Sequence, residues 1–180
     1  MTDSTDDLQR RRILRLATYD YAKAGAYFVT ICTHGKECLL GDVVNDEMVL
    51  HDAGRIVAAA WHNLPQHYGN TVLDTFVVMP NHVHGVLFIG PTVTDADAPG
   101  AASRHGLPEI LRAFKTFSSR RINEARGTPG ATVWQRSYYD HIIRNETSLT
   151  RIREYIIRNP LQWSLDRENP AYAVRRQGAT

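Results

Sequence analysis

The sequence predicts a single α+β domain built on a four-stranded antiparallel sheet, and three observations carry that expectation. Short β-rich runs at 26–34, 71–78, 82–89 and 133–143 are interleaved with amphipathic runs at 52–67, 107–126 and 146–158. The resulting order is strand, helix, strand, strand, helix, strand, helix, that of a ferredoxin-like (RRM-like) α/β plait with one C-terminal helix appended. At 180 residues, 43% hydrophobic and 22% charged, the chain is long enough for one well-buried core and short for two. The expected organisation is a flexible basic arm at 1–18, one domain at 19–165 with a mobile loop at about 91–106, and a C-terminal tail at 166–180.

Each element has its own warrant. Ala26 to His34 is rich in β-branched and aromatic residues and reads as the first strand. Cys38 to Leu50 reads as a short hairpin or loop around Asn45-Asp46. Between Asp52 and His67, Ile56, Val57, Ala60, Trp61 and Leu64 recur at helical spacing, and Gly69-Asn70 marks the following turn. Thr71–Val78 and His82–Ile89 flank the Pro80-Asn81 turn, so they are expected to pair antiparallel. The Pro-, Gly- and Ala-rich stretch that follows lacks periodicity. Ile110, Leu111, Phe114, Phe117 and Ile122 then restore a helical stripe, which Gly127-Thr128-Pro129-Gly130 ends. Val133 to Ile143 reads as the fourth strand. The last helix begins at Glu146 behind a suitable N-cap, Asn145, and Pro160 stops it near Asn159.

Charge is unevenly divided. Residues 1–100 carry 7 Lys+Arg against 12 Asp+Glu, net −5, whereas residues 101–180 carry 14 against 7, net +7. Thirteen of those 14 are arginines, whose planar fork suits phosphate, so this half fits either a polyanionic partner or a solvated helical surface. Cys32 and Cys38 lack metal-type spacing and read as reduced, inert thiols. The N-terminus is polar, and no apolar run approaches the ~18 residues of a membrane span, so neither secretion nor membrane insertion is expected.

Candidate chemistry centres on Met79-Pro80-Asn81-His82-Val83-His84. On a strand, His82 and His84 point to one face, and two neutral imidazoles on one face can grip a divalent metal. A His-x-His by itself is better read as a surface strand with two incidental histidines. Downstream, Tyr155 and Asn159 stand four apart and share one helical face, with Ile152 and Ile156 free to anchor the helix. A tyrosine of ordinary pKa near ~10 is a poor nucleophile at neutral pH, but it can attack phosphorus when a metal polarises the phosphate. His82, His84 and the Asn159 side-chain oxygen provide three ligands for Mg²⁺ or Mn²⁺ and leave positions open for water or phosphate.

Four blocks, taken together, resemble the HUH-type single-tyrosine transposases, and most nearly the REP-associated tyrosine transposases of bacteria. They are Ala26–His34, Phe76–His84, Val133–Asn145 and Arg153–Pro160, in that order within about 19–163. The resemblance implies that His82 and His84 are the paired metal ligands, that Tyr155 is the single nucleophile, and that Asn159 occupies the third-ligand position. It implies cleavage of single-stranded DNA near hairpins, leaving a 5′-phosphotyrosine and a free 3′-OH, with rejoining by reversal. It also implies a cytoplasmic bacterial protein, nucleoid-associated when bound to DNA, acting as a monomer or homodimer. A phosphotyrosine conserves the bond energy, so no nucleotide-binding loop is needed, and none is present.

Arg10, Arg11 and Arg12, with Arg112, Lys115, Arg120 and Arg121, are candidates to track a DNA backbone. Tyr138 is a candidate to stack on an unpaired base, whereas Trp134 reads as core. The rival reading is a catalytically silent nucleic-acid-binding protein derived from such a transposase. An RNA-binding plait would carry an aromatic-rich strand motif that this chain lacks. A metallohydrolase would continue the His-x-His motif with further ligands, where Gly85 and Val86 stand.

Overall fold

The computed structural model of the chain describes residues 24–90 and 105–172. The arm bearing Arg10, Arg11 and Arg12, residues 91–104 of the expected mobile loop, and tail residues 173–180 lie outside the described residues. Strand β1 (Gly25–Cys32) is followed by the ribbon β2 (Gly41–Val44) and β3 (Glu47–Leu50), then helices α1 (Asp52–His62) and α2 (Leu64–His67). Strands β4 (Thr71–Met79) and β5 (His82–Ile89), helix α3 (Leu107–Arg126), strand β6 (Tyr139–Ile143) and helix α4 (Glu146–Arg158) complete the order. A 3₁₀ turn, Pro160–Leu165, follows α4.

The main sheet runs β4-β5-β1-β6 with every neighbouring pair antiparallel, as the plait requires. Asn45 and Asp46 both adopt positive φ, the conformation that a two-residue hairpin turn demands, so 41–50 is a hairpin rather than a loop. Gly127 closes α3 in the left-handed region at φ 64°, which a residue without Cβ adopts at no steric cost.

Alternation along the central strands sends successive side chains to opposite layers. Tyr27, Val29, Ile31, Val83, Leu87 and Ile89 enter a large core with Val57 and Trp61 of α1 and Ile110, Leu111 and Phe114 of α3. Phe28 and Val86 point the other way, into a smaller cluster with Ile143 and with Leu149, Ile152 and Ile156 of α4. Gly85 lies under the Trp61 ring, where a Cβ would fall inside the indole's contact distance. The sheet thus carries α1 and α3 on one face and α4 on the other.

Two expectations are corrected. The helix expected over 52–67 breaks at Asn63, because Pro65 lacks the amide that would continue the ladder and its ring blocks the preceding turn. The fourth strand pairs only from Tyr139, not from Val133. Before it, the chain is held by other bonds. Trp134 makes a lone bridge to Thr33, its indole N–H donates to Ser118 Oγ at 2.9 Å, and the Lys115 ammonium donates to the carbonyls of Gln135 and Arg136. Among the described residues no helix is long and apolar enough to cross a membrane.

Candidate active site

The smaller face of the sheet holds the sequence-predicted set. Register places His82 and His84 on β5, two apart and on the α4 side, with Thr30 of β1 directly opposite His84. Helix α4 is started by Asn145, whose side-chain oxygen accepts the Ser148 N–H at 2.8 Å. Its stripe of Leu149, Ile152 and Ile156 seats it on Phe28 and Val86. A second tether comes from the bulge in β4 between Leu73 and Phe76. There the Asp74 carboxylate receives both arms of the Arg153 fork, Nε at 2.9 Å and a terminal nitrogen at 2.7 Å. That pairing holds the Asp74 carboxyl far below the usual carboxylate range.

So seated, α4 brings Tyr155 Oη to 3.3 Å from His84 Nε2, with the phenol ring edge-on to Phe28. His84 Nε2 in turn stands 3.1 Å from His82 Nε2. One helical turn after Tyr155, Asn159 is 2% exposed, and its buried Oδ1 has no hydrogen-bond partner among the described residues. Its amide lies close enough to the His82 ring to favour the protonated imidazole. Burial outweighs that effect and pushes His82 down to about 3, and it drives His84 well below the ordinary histidine value, so both rings are neutral at pH 7. Neutral imidazole is the form that ligates a metal.

Outer contacts fix which nitrogen is bare. Asn81 Nδ2 donates to the carbonyls of Lys36 and Glu168, at 3.1 and 2.6 Å, and this orients its Oδ1 toward His82 Nδ1 at 2.9 Å. His82 Nδ1 therefore carries the proton and Nε2 presents a lone pair. The Thr30 hydroxyl, 2.8 Å from His84 Nδ1, can accept or donate and so suits either tautomer of that ring. Two Nε2 atoms at 3.1 Å match neighbouring corners of a coordination sphere with bonds of about 2.1 Å. With the orphaned Asn159 oxygen, the donor set fits a divalent cation. Among the described residues no three His, Cys, Asp or Glu side chains form such a group by themselves.

The remaining candidates lie elsewhere. Arg112, Arg120 and Arg121 are exposed on α3, in the layer on the far side of the sheet from Tyr155. Lys115, on the same helix, holds the 135–136 segment. Tyr138 is 8% exposed and packs in the larger core, which gives its ring a packing role. Trp134 is core, as read.

Three residues at the site were not assigned a role from sequence: Thr30, Asn81 and Asp166. Asn81 stood inside the quoted motif, and a polar amide at a turn directly before two histidines was the available signal. Thr30 required the strand register. Asp166, with its Oδ2 3.9 Å from His82 Nε2, follows a 3₁₀ turn whose path no periodicity announces.

Comparison with known proteins places this geometry in context. The family described as "Transposase IS200 like" matches residues 43–159, a span that includes His82, His84, Tyr155 and Asn159. An uncharacterized protein of Haemophilus influenzae is 38% identical over 172 residues, covering 88% of this chain and 93% of its own length. Among solved structures, a REP-associated tyrosine transposase bound to a REP hairpin superposes with a TM-score of 0.55 over 80% of this chain and 71% of that one. At 19% identity, that likeness is one of fold.

Proposed function

The chain belongs to the IS200-like family of HUH-type single-tyrosine transposases, and from that premise we propose that it cuts and rejoins single-stranded DNA through Tyr155, beside a divalent metal held by His82, His84 and Asn159. One observation carries the reading. A tyrosine hydroxyl, two facing imidazole nitrogens and a buried amide oxygen converge on the α4 side of the sheet, with Oη 3.3 Å from one of those nitrogens. Mg²⁺ or Mn²⁺ suits a site of neutral nitrogen and oxygen donors with open positions, Mn²⁺ accepting imidazole more readily.

When bound, such an ion would neutralise phosphate charge and stabilise the departing oxygen. The chain's own residues supply the rest. Arg153, Ile152 and Ile156 fix the helix, so Tyr155 approaches the phosphate from one direction. The Oη–P bond forms as the phenol proton passes to solvent, the P–O3′ bond breaks, and the departing O3′ takes up a proton from solvent, leaving a free 3′-OH and a 5′-phosphotyrosine on Tyr155. Attack by another 3′-OH reverses the step with no external energy source. The fold relative bound to a hairpin makes hairpin-bearing DNA the proposed substrate. Arg112, Arg120 and Arg121 would then meet DNA away from the scissile phosphate, adding salt-sensitive affinity without entering the chemical step.

The test is incubation of the full chain with labelled single-stranded hairpin DNA and Mg²⁺ or Mn²⁺, resolved under denaturing conditions. Wild type is expected to form a denaturant-resistant adduct and Tyr155→Phe to form none. An adduct of equal yield from Tyr155→Phe overturns the nucleophile. No adduct from wild type across a panel of hairpins overturns the catalytic reading in favour of DNA binding alone.

A further inference from the structure

We propose that Asp166 is the anionic partner of the metal, holding it through a bound water and setting the affinity of the site. The proposal rests on the metal reading above and adds a residue that lies beyond the span matched by the family, residues 43–159.

Its side chain is 7% exposed, and Oδ2 lies 3.9 Å from His82 Nε2, beyond hydrogen-bond range. Oδ1 is occupied by the Glu168 N–H at 2.7 Å, while Oδ2 meets no hydrogen-bond donor among the described residues. Lys36, whose positive charge reaches Asp166, is paired with Glu168 at 3.0 Å. A buried carboxylate thus has one oxygen beside the His82 ring nitrogen and, among the described residues, no cation bonded to it. Burying a charge without a partner is costly.

The metal site has the opposite deficit. His82, His84 and Asn159 are all neutral, so a divalent ion among them would bring two uncompensated positive charges into a buried setting. Carboxylate and cation each relieve the other. The distance favours contact through water: Mg²⁺ and Mn²⁺ retain several waters, and a carboxylate just outside the ligand set accepts a hydrogen bond from one of them. The placement is built rather than incidental. Asn169 Nδ2 holds the Trp163 carbonyl at 2.8 Å, and the Asn81 amide that orients His82 also clasps Glu168 O at 2.6 Å. A single side chain therefore positions both the ligand histidine and the segment carrying Asp166.

The test is Mn²⁺ binding to the full chain, followed by the electron paramagnetic resonance of the free ion, alongside thermal unfolding without metal. Asp166→Asn keeps the shape and can still accept the Glu168 N–H. It is expected to weaken Mn²⁺ binding by about 10- to 100-fold, while the metal-free melting temperature stays the same or rises, because an unpaired buried charge is gone. A purely structural Asp166 would instead lower the metal-free melting temperature. Wild-type Mn²⁺ affinity in Asp166→Asn, or a loss of affinity accompanied by a lower metal-free melting temperature, overturns the proposal. If His84→Ala abolishes binding and Asp166→Asn does not, only the role of Asp166 fails. If wild type binds no Mn²⁺, or His84→Ala binds it unchanged, the metal reading fails with it.

Discussion

Strand β5 serves two layers with opposite chemistries. Toward α1 and α3 it sends Val83, Leu87 and Ile89 into a close-packed core with Trp61 and Phe114, stacked further by Phe76 against Trp61. Toward α4 it sends His82 and His84, which meet a tyrosine, an orphaned amide and a buried carboxylate. One face gains stability by removing apolar surface from water, about 1.5–3 kcal/mol for each large side chain fully buried. The other buries polar groups that return little of their desolvation cost in the metal-free state. Stability and chemistry are separated by the two-residue period of a single strand.

The largest expected consequence falls on the apolar face. Trp61→Ala should lose about 3–5 kcal/mol in urea unfolding, since a fully buried indole packed on Phe76 and Phe114 leaves a cavity that its neighbours cannot fill. Tyr155→Phe should change stability far less, because it leaves the ring in place, edge-on to Phe28. Comparable losses in the two variants would break the division of labour.

Next in size is a pH effect confined to the polar face. Burial depresses His82 to about 3 and His84 well below normal. Below pH ~6.5 the unfolded chain therefore takes up protons that the folded chain does not. Stability is full above pH ~6.5 and falls as pH drops below it. Urea unfolding of metal-free protein at pH 7.5 and 5.0 should show the loss, and His84→Gln should reduce it. Asp74 does not contribute in that window: its depressed carboxyl stabilises fully above pH ~4, and its contribution is lost only at lower pH.

The Arg153–Asp74 tether should show itself in kinetics more than in stability. Its side chains are 36% and 17% exposed, so solvent screens the pair and Arg153→Gln should leave urea unfolding nearly unchanged. Adduct formation should nonetheless slow by about tenfold, because the helix that aims Tyr155 loses its fork to β4. Unchanged adduct kinetics in Arg153→Gln would show that the apolar stripe of α4 orients the helix unaided.

The same division explains what could be read from the chain. Amphipathic stripes such as Ile110, Leu111, Phe114 and Ile122 announced α3, and Asn145 with Pro160 bounded α4 within a residue. The shared face of His82 with His84, and of Tyr155 with Asn159, follows from local periods of two and 3.6 residues. What was not legible depends on distant partners. Strand β6 begins late because the Trp134 indole and the Lys115 ammonium capture the preceding residues, an arrangement of long-range side-chain bonds without a local pattern. Thr30 joins the site through strand register, and Asp166 through a 3₁₀ turn that folds back on Asn81. The placement of Arg112, Arg120 and Arg121 across the sheet from Tyr155 likewise emerges only once the two layers are assembled.

The most direct measurement of the central claim is to trap the adduct on hairpin DNA with Mn²⁺, digest protein and DNA, and locate the modified residue by mass spectrometry. A 5′-phosphonucleotide is expected on the peptide containing Tyr155 and on no other tyrosine. Attachment to Tyr138, Tyr139 or any residue off the α4 face would contradict it.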